Sequence, residues 1–390
     1  MAMRLGVVQP GDFLEATRRL DSGEPEFYFG VRESIDALHC LFGGNDHLVI
    51  SLDAPMETII RNKGAYSGLP IPEFPQYTLH RLTHEIWARR IVAALRHYRP
   101  THVLLRTGGV VGLHVADYCV RNNIPSLAVL ANALDCTKPS FHARAKKFVR
   151  LLNSECFFRV ANFKHPAVAS MIDCGLKPGK AITYEFKGAR RPDCHPVKSL
   201  SGSQPLRLVF ASRMAIEKGA EDVLGAAMIL LKRGRRVKLT LIGDGPSMTS
   251  LRAQAAKLPP DTVEFTGWLS NQAMFDRLLN ASFAFAPTHH SFPEGLPMAL
   301  TEALASRTPT LISDHPIFVS AFVNNQGVVI SPQKNAQALA NAVIEIADAP
   351  ERYRQLSETT KDAFTRIEAP MCFSDVLELW RREVLEKYEA

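Results

Sequence analysis

Apolar residues recur along this chain in two alternating rhythms. Short runs that are apolar at nearly every position predict strands, and stretches whose apolar residues return every three or four positions predict helices. In the first half the strand runs are 4–8, 47–52, 102–105 and 126–130. Helical patterns lie between them, as at 81–97 and 112–122. Such alternation predicts a parallel sheet with both faces covered by helices. Asn123-Ile124-Pro125 supplies a helix stop followed by a strand start.

The rhythm breaks over 188–205, which is rich in Pro, Gly and Ser and poor in large apolar residues. That composition predicts an interdomain linker. The rhythm then restarts more cleanly. Strands are predicted at 206–211, 237–242, 262–266, 283–286 and 309–312, and helices at 219–233, 247–256, 271–280, 297–305 and 335–348. The last stretch, 373–388, is helical with Phe373, Val376, Leu377, Trp380 and Val384 on one face. The prediction is an α/β protein of two Rossmann-like domains, 1–195 and 206–372, joined by a linker at 196–205. A length of 390 residues suits two cores better than one.

Composition narrows the class. No run of about 18 apolar residues is present, so no membrane span is predicted. Met1 to Val8 reads as a first strand rather than a leader, which predicts a cytoplasmic protein. Seven cysteines are scattered without a C-x-x-C pair, which predicts reduced thiols and no zinc site. Residues 1–200 hold 26 Lys and Arg against 18 Asp and Glu, whereas residues 201–390 hold 20 against 21. The basic first half predicts an anionic partner such as lipid headgroups or an acidic glycan. Its basic residues gather at 81–99 and 142–150, where an interfacial helix would face an anionic membrane surface. No nucleic-acid motif accompanies them, and nucleic acid is not expected as a partner.

No G-x-G-x-x-G follows the first strand of either half, and no Walker A, H-E-x-x-H or G-x-S-x-G is present. Candidate chemistry sits instead in three loops of the second half. The loop 211–219 follows a strand and precedes a helix, where ligands of open α/β sheets bind. Its Arg213 and Lys218 are two cations suited to a diphosphate. Ile242-Gly243-Asp244-Gly245-Pro246 ends the next strand in a tight turn, and Gly267 closes a third. The stretch 287–305 carries Glu294, then Gly295-Leu296-Pro297, then Glu302. Pro297 fits a first helical turn, and the helix start is a phosphate seat. Two carboxylates flanking seven residues can accept hydrogen bonds from the hydroxyls of one elongated ligand.

These residues resemble retaining GT-B glycosyltransferases of the family that includes bacterial lipopolysaccharide, capsule and mannosyl transferases, often numbered family 4. The resemblance is carried by S-R-x-x-x-E-K-G (212–219), I-G-D-G-P (242–246), V-x-F-x-G (263–267) and the E-x7-E stretch 294–305, and is specific over about 206–315. It implies two Rossmann-like domains with parallel sheets facing across a cleft. It also implies a C-terminal helix, 373–390, that completes the first domain. Arg213 and Lys218 would bind the diphosphate and, with Glu294, form the catalytic set. Gly243, Gly267, Gly295, Leu296, Pro297 and Glu302 would hold the donor nucleotide, Glu302 at its ribose. Gly11, Asn132 and His290 are candidate contacts to donor sugar or acceptor.

The chain also departs from that family. Arg307 stands where glycine is common, and is strained if the position needs positive φ. Asn132 lies in a segment where the family often has His, and the usual glycine pair after the first strand is only Pro10-Gly11. The implied reaction moves a hexose-type sugar, with retention and without a metal or other cofactor, from a nucleotide-diphosphate sugar to an acceptor hydroxyl. A UDP-sugar stands ahead of a GDP-sugar, and the acceptor would be a glycan or a lipid-linked molecule in polysaccharide, lipopolysaccharide or glycolipid synthesis. Two alternatives stay open: a GT-B hydrolase or epimerase of sugar nucleotides using His289, His290 and Glu294, and a non-catalytic glycosyltransferase-like subunit.

Overall fold

The computed structural model describes residues 3–24, 30–42, 46–52, 58–61, 64–68, 77–134, 139–186, 190–200, 202, 204–292 and 294–385. The chain divides into two compact units, Met1–Lys187 with Ala369–Ala390, and Gly188–Glu368.

In the first unit the elements are β1 (Arg4–Gln9), α1 (Phe13–Asp21), α2 (Val31–Phe42), β2 (Asp46–Ser51), β3 (Thr58–Arg61), β4 (Gly64–Gly68), α3 (Tyr77–Tyr98), β5 (His102–Leu105), α4 (Gly109–Arg121), β6 (Ser126–Leu130), α5 (Pro139–Leu152), β7 (Phe157–Phe163), α6 (Lys164–Asp173) and β8 (Ala181–Glu185). The second unit runs β9 (Leu206–Ala211), α7 (Ala220–Lys232), β10 (Val237–Ile242), α8 (Met248–Ala255), β11 (Val263–Gly267), α9 (Asn271–Leu279), β12 (Phe283–Ala286), α10 (Met298–Ala305), β13 (Thr310–Ser313), α11 (Pro316–Ala321), β14 (Val328–Ser331), α12 (Ala336–Ala347) and α13 (Pro350–Ile367). The chain then rejoins the first unit with β15 (Met371–Cys372) and α14 (Phe373–Trp380).

The first sheet has the order β15-β8-β7-β6-β5-β1-β2-β4-β3 and the second β11-β10-β9-β12-β13-β14. Among the described residues the second-sheet strand pairings are parallel, and in the first sheet β3 alone runs antiparallel, against β4. Both faces of each sheet carry helices, so central strands are apolar throughout. All four residues of β12 and of β13 are buried. In the second unit, Leu208, Phe210, Leu241, Phe283 and Phe285 of the sheet belong to a core that also holds Val223 and Leu230 of α7 and Val343 of α12. Strand order reverses beside β9, between β10 and β12. That reversal opens a crevice beyond the carboxyl ends of the strands.

Several expectations change. Residues 190–200 lack regular periodicity yet pack on the second unit. Lys198 Nζ donates to the carbonyls of Leu278 (2.7 Å) and Ala281 (3.0 Å) and to Thr308 Oγ1 (2.7 Å). The helices holding the basic clusters bury their apolar faces inside the first unit, with Ala88, Ile91 and Leu95 on α3 and Phe148, Val149 and Leu152 on α5 inaccessible. On the outward side of α3 the exposed Ile86 stands beside Arg89 and Arg90, and on α5 Lys146, Lys147 and Arg150 are exposed. Arg81 lies among residues whose side chains are outside the described set. Cys174 is disulfide-bonded, which corrects the reading of all seven cysteines as thiols, while Cys40, Cys119, Cys156, Cys194 and Cys372 are free. Among the described residues no helix is long and apolar enough to cross a membrane.

Candidate functional site

The three loops at the carboxyl ends of β9, β10 and β11 are stitched together by backbone. Ser212 N donates to Ile242 O (3.0 Å), Met214 N to Asp244 O (2.8 Å), and Gly243 N to Gly267 O (2.8 Å). This approach is what requires glycine. Gly243 has φ of 122°, and a Cβ there would lie 2.1 Å from Ser212 O. Gly267 also has positive φ, 66°, but space around it is open.

From the neighbouring β12 end comes the central cluster. Lys218 Nζ donates to Glu294 Oε2 at 2.5 Å, and Thr288 Oγ1 donates to the same oxygen at 3.0 Å. The Lys218 ammonium lies 3.8 Å from the centre of the Phe292 ring. The lysine side chain is 14% exposed and the glutamate 7%. The loop carrying Glu294 is itself braced: His315 Nε2 donates to Phe292 O (3.0 Å), while its Nδ1 accepts from Ile317 N (3.3 Å). That arrangement fixes a neutral imidazole, in line with burial pushing the His315 pKa below its ordinary value.

Helix α10 starts at Met298, so Pro297 is its N-cap residue (φ −59°, ψ 130°), one position earlier than expected. The Pro297 carbonyl accepts from Leu300 N (3.0 Å) and Thr301 N (3.3 Å). Glu302 lies in the second turn and is 2% exposed. Burial raises its carboxyl pKa, and the guanidinium of Arg190 opposes the shift. Arg190 Nη1 donates to Glu302 Oε2 at 2.7 Å.

The structure thus joins Lys218 to Glu294 and Gly243 to Gly267, and gives Glu302 a partner that spacing did not suggest. Leu296 and Gly295 are buried beside Glu294 in sequence, and Arg213 is exposed on the β9 loop. His290 is held by Asp314, its Nε2 lying 2.9 Å from Oδ1, and its backbone N donates to Gln333. His289 is buried and donates to Asp222 Oδ2 (2.7 Å). Gly11 and Asn132 belong to the first unit. Gly11 has φ of 87° and its carbonyl accepts from Ser51 Oγ, while the exposed Asn132 accepts through its carbonyl from Asn162 Nδ2 (3.1 Å). Arg190, Thr288 and Phe292 went unassigned in the sequence. Thr288 and Phe292 stood inside the quoted stretch, but nothing in spacing tied residue 190 to residue 302. Among the described residues no group of three or more His, Cys, Asp or Glu is placed to hold a metal ion.

Residues 195–363 match the family model of glycosyl transferases, group 1. That group 1 segment contains Arg213, Lys218, Glu294 and Glu302. Curated relatives match about two fifths of the chain's length. A GDP-mannose-dependent alpha-(1-6)-phosphatidylinositol dimannoside mannosyltransferase of Mycobacterium tuberculosis is 31% identical over 149 residues, 38% of this chain and 37% of that protein. An alpha-monoglucosyldiacylglycerol synthase of Streptococcus pneumoniae is 36% identical over 162 residues, 40% of this chain and 35% of that protein. In both cases the match spans less than half of the relative's length. Among solved structures, HepE of Anabaena in complex with UDP superposes over 99% of this chain and 100% of its own, with a TM-score of 0.61 at 14% identity. Sucrose-phosphate synthase from Thermosynechococcus elongatus covers 99% of both chains at a TM-score of 0.63 and 14% identity. The fold is therefore that of GT-B glycosyltransferases, with two α/β domains on parallel sheets.

Proposed function

We propose that the chain is a retaining glycosyltransferase that moves a hexose-type sugar from a nucleotide-diphosphate sugar to an acceptor hydroxyl. The observation that carries this reading is the Lys218–Glu294–Thr288 cluster at the entry to α10, eight residues before the buried Glu302. Lys218 and Arg213 supply positive charge for a departing diphosphate without a metal. Glu294 is a carboxylate acceptor for sugar hydroxyls, held in place by Lys218 and Thr288 before substrate arrives. Retention follows, in this reading, from attack on the face the diphosphate leaves, with a phosphate oxygen taking the acceptor's proton.

A UDP-sugar is our preferred donor, supported by the UDP complex of HepE, and the GDP-mannose-dependent relative makes GDP the second choice. For the acceptor we propose a glycan or lipid-linked molecule met at an anionic membrane surface on the cytoplasmic side. The two relatives whose names carry a phosphatidylinositol and a diacylglycerol support it, as do the exposed Arg89, Arg90, Lys146, Lys147 and Arg150 of the first unit.

The test is thermal unfolding with UDP, GDP, ADP and CMP. A nucleotide at 100 times its dissociation constant adds about 2.7 kcal/mol to the native state. We expect a shift with one nucleoside diphosphate that Glu302→Ala removes, and a Glu294→Ala variant whose turnover falls more than its nucleotide affinity. No shift with any of the four nucleotides would refute a donor site and favour a non-catalytic relative.

A further inference from the structure

We propose that Arg190 is a positioning residue for the ribose of the bound nucleotide, holding one oxygen of Glu302 so that the other meets the 2′,3′-diol. The inference rests on the reading above that Glu302 faces the ribose.

Three contacts fix the guanidinium. Nη1 donates to Glu302 Oε2 (2.7 Å), Nη2 donates to Gln272 Oε1 (2.9 Å), and Cζ lies 4.3 Å from the centre of the Phe275 ring. Gln272 is oriented in turn, because its Nε2 donates to Asp276 Oδ1 at 2.8 Å. The chain Asp276–Gln272–Arg190–Glu302 therefore sets the carboxylate from α9 and from residue 190 together. Only a planar fork can donate in two directions while stacking on a ring, so lysine does not replace this residue.

Glu302 needs such a partner. A carboxylate with 2% exposure and no cation loses several kcal/mol of solvation or takes up a proton, and a protonated acid is a poorer acceptor. Arg190 opposes the rise in the Glu302 pKa that burial causes, and it engages Oε2 alone. Among the described residues Oε1 has no hydrogen-bond partner, and a carboxylate oxygen with its lone pairs vacant suits a sugar hydroxyl. Because Arg190 fixes the rotamer beforehand, the ligand does not have to order it.

A structural ion pair and a positioning residue differ in one observable, dependence on the diol. The experiment titrates full-length wild type, Arg190→Ala, Arg190→Lys and Gln272→Ala with UDP and GDP and with their 2′,3′-dideoxy analogues. Wild type is expected to favour the diol nucleotide by about tenfold or more, the worth of hydrogen bonds to a charged group. Arg190→Ala should bring that ratio close to one while dideoxy affinity stays within about twofold, and Arg190→Lys should recover only part of it. Gln272→Ala leaves the ion pair in place and loosens its orientation. It should lower the ratio partway, and it keeps the test decisive should Arg190→Ala fail to fold. Equal loss for diol and dideoxy ligands in the Arg190 variants, or an unchanged ratio, would overturn the role of Arg190 alone. A wild type that binds both ligands equally would instead overturn the ribose reading of Glu302.

Discussion

Arg307 sits in the left-handed region, with φ of 59°. It follows the last turn of α10 in a Schellman closure, where Arg307 N donates to Leu304 O (3.1 Å) and Thr308 N to Ala303 O (3.0 Å). Glycine is the usual residue there because a Cβ costs about 1 kcal/mol in this conformation. The side chain offsets that cost. Nε donates to Pro192 O and Nη1 to Glu358 O, both at 2.9 Å, and Nη2 lies 3.5 Å from Asp193. One residue thus ties the segment before β9 to α13. Arg307→Ala keeps the strain and loses the bonds, whereas Arg307→Gly loses the bonds but relieves the strain. Chemical denaturation should show both variants less stable than wild type, with the glycine variant ahead of the alanine variant by about 1 kcal/mol. The reverse order would mean that the backbone is not strained at this site. Sequence alone raised the question at Arg307 and could not answer it, because the compensating partners are 51 and 115 residues away.

Among the elements, the loops after β9, β10 and β11 were legible because each joins a strong strand pattern to a helix pattern, with glycine where backbones meet. The stretch 287–305 was legible as a unit, and its carboxylates proved buried and partnered. What the pattern missed has a physical reason too. Strand β7 carries Arg159 and Asn162 in its run, and Asn162 is fully buried with its amide bonded to Asn132 O and its own Oδ1 accepting from Phe163 N. A polar residue satisfied in the core is invisible to an apolar count. Two glycines separate close approach from mere turn chemistry. At Gly243 an alanine meets Ser212 O at 2.1 Å and must push the β9 loop away, whereas at Gly267 nothing lies within 4 Å. Gly267→Ala should therefore cost about 1 kcal/mol of stability through its positive φ alone, without displacing a neighbouring loop. Gly243→Ala should cost more and weaken nucleotide binding at least tenfold by displacing the loop of Arg213 and Lys218. Equal effects of the two substitutions would show that the Ser212 contact is not needed.

For the whole molecule, the second unit was read almost element by element, while the first was read as a rhythm with gaps. Its strands β8 and β15 explain part of the difference, since they pair residues nearly 200 positions apart, whereas the closing helix was legible from its apolar face. Met371 pairs with Tyr184, Glu33 of α2 accepts from Ser374 N at 2.9 Å, and α14 buries Phe373, Val376, Leu377 and Trp380 in the first unit. Burying four such side chains stabilises by roughly 6–12 kcal/mol, comparable with the net stability of a whole domain. Deleting residues 369–390 should therefore unfold the first unit while the covalently intact second unit keeps its own core. Two-domain proteins need not unfold in one step, so calorimetry can separate the two losses. The truncated protein should lack one transition, and the surviving transition should still move upward with the nucleotide that stabilises the full chain. If that shift disappears as well, the donor nucleotide draws binding energy from the first unit, and Gly11 and Asn132 become the residues to change next.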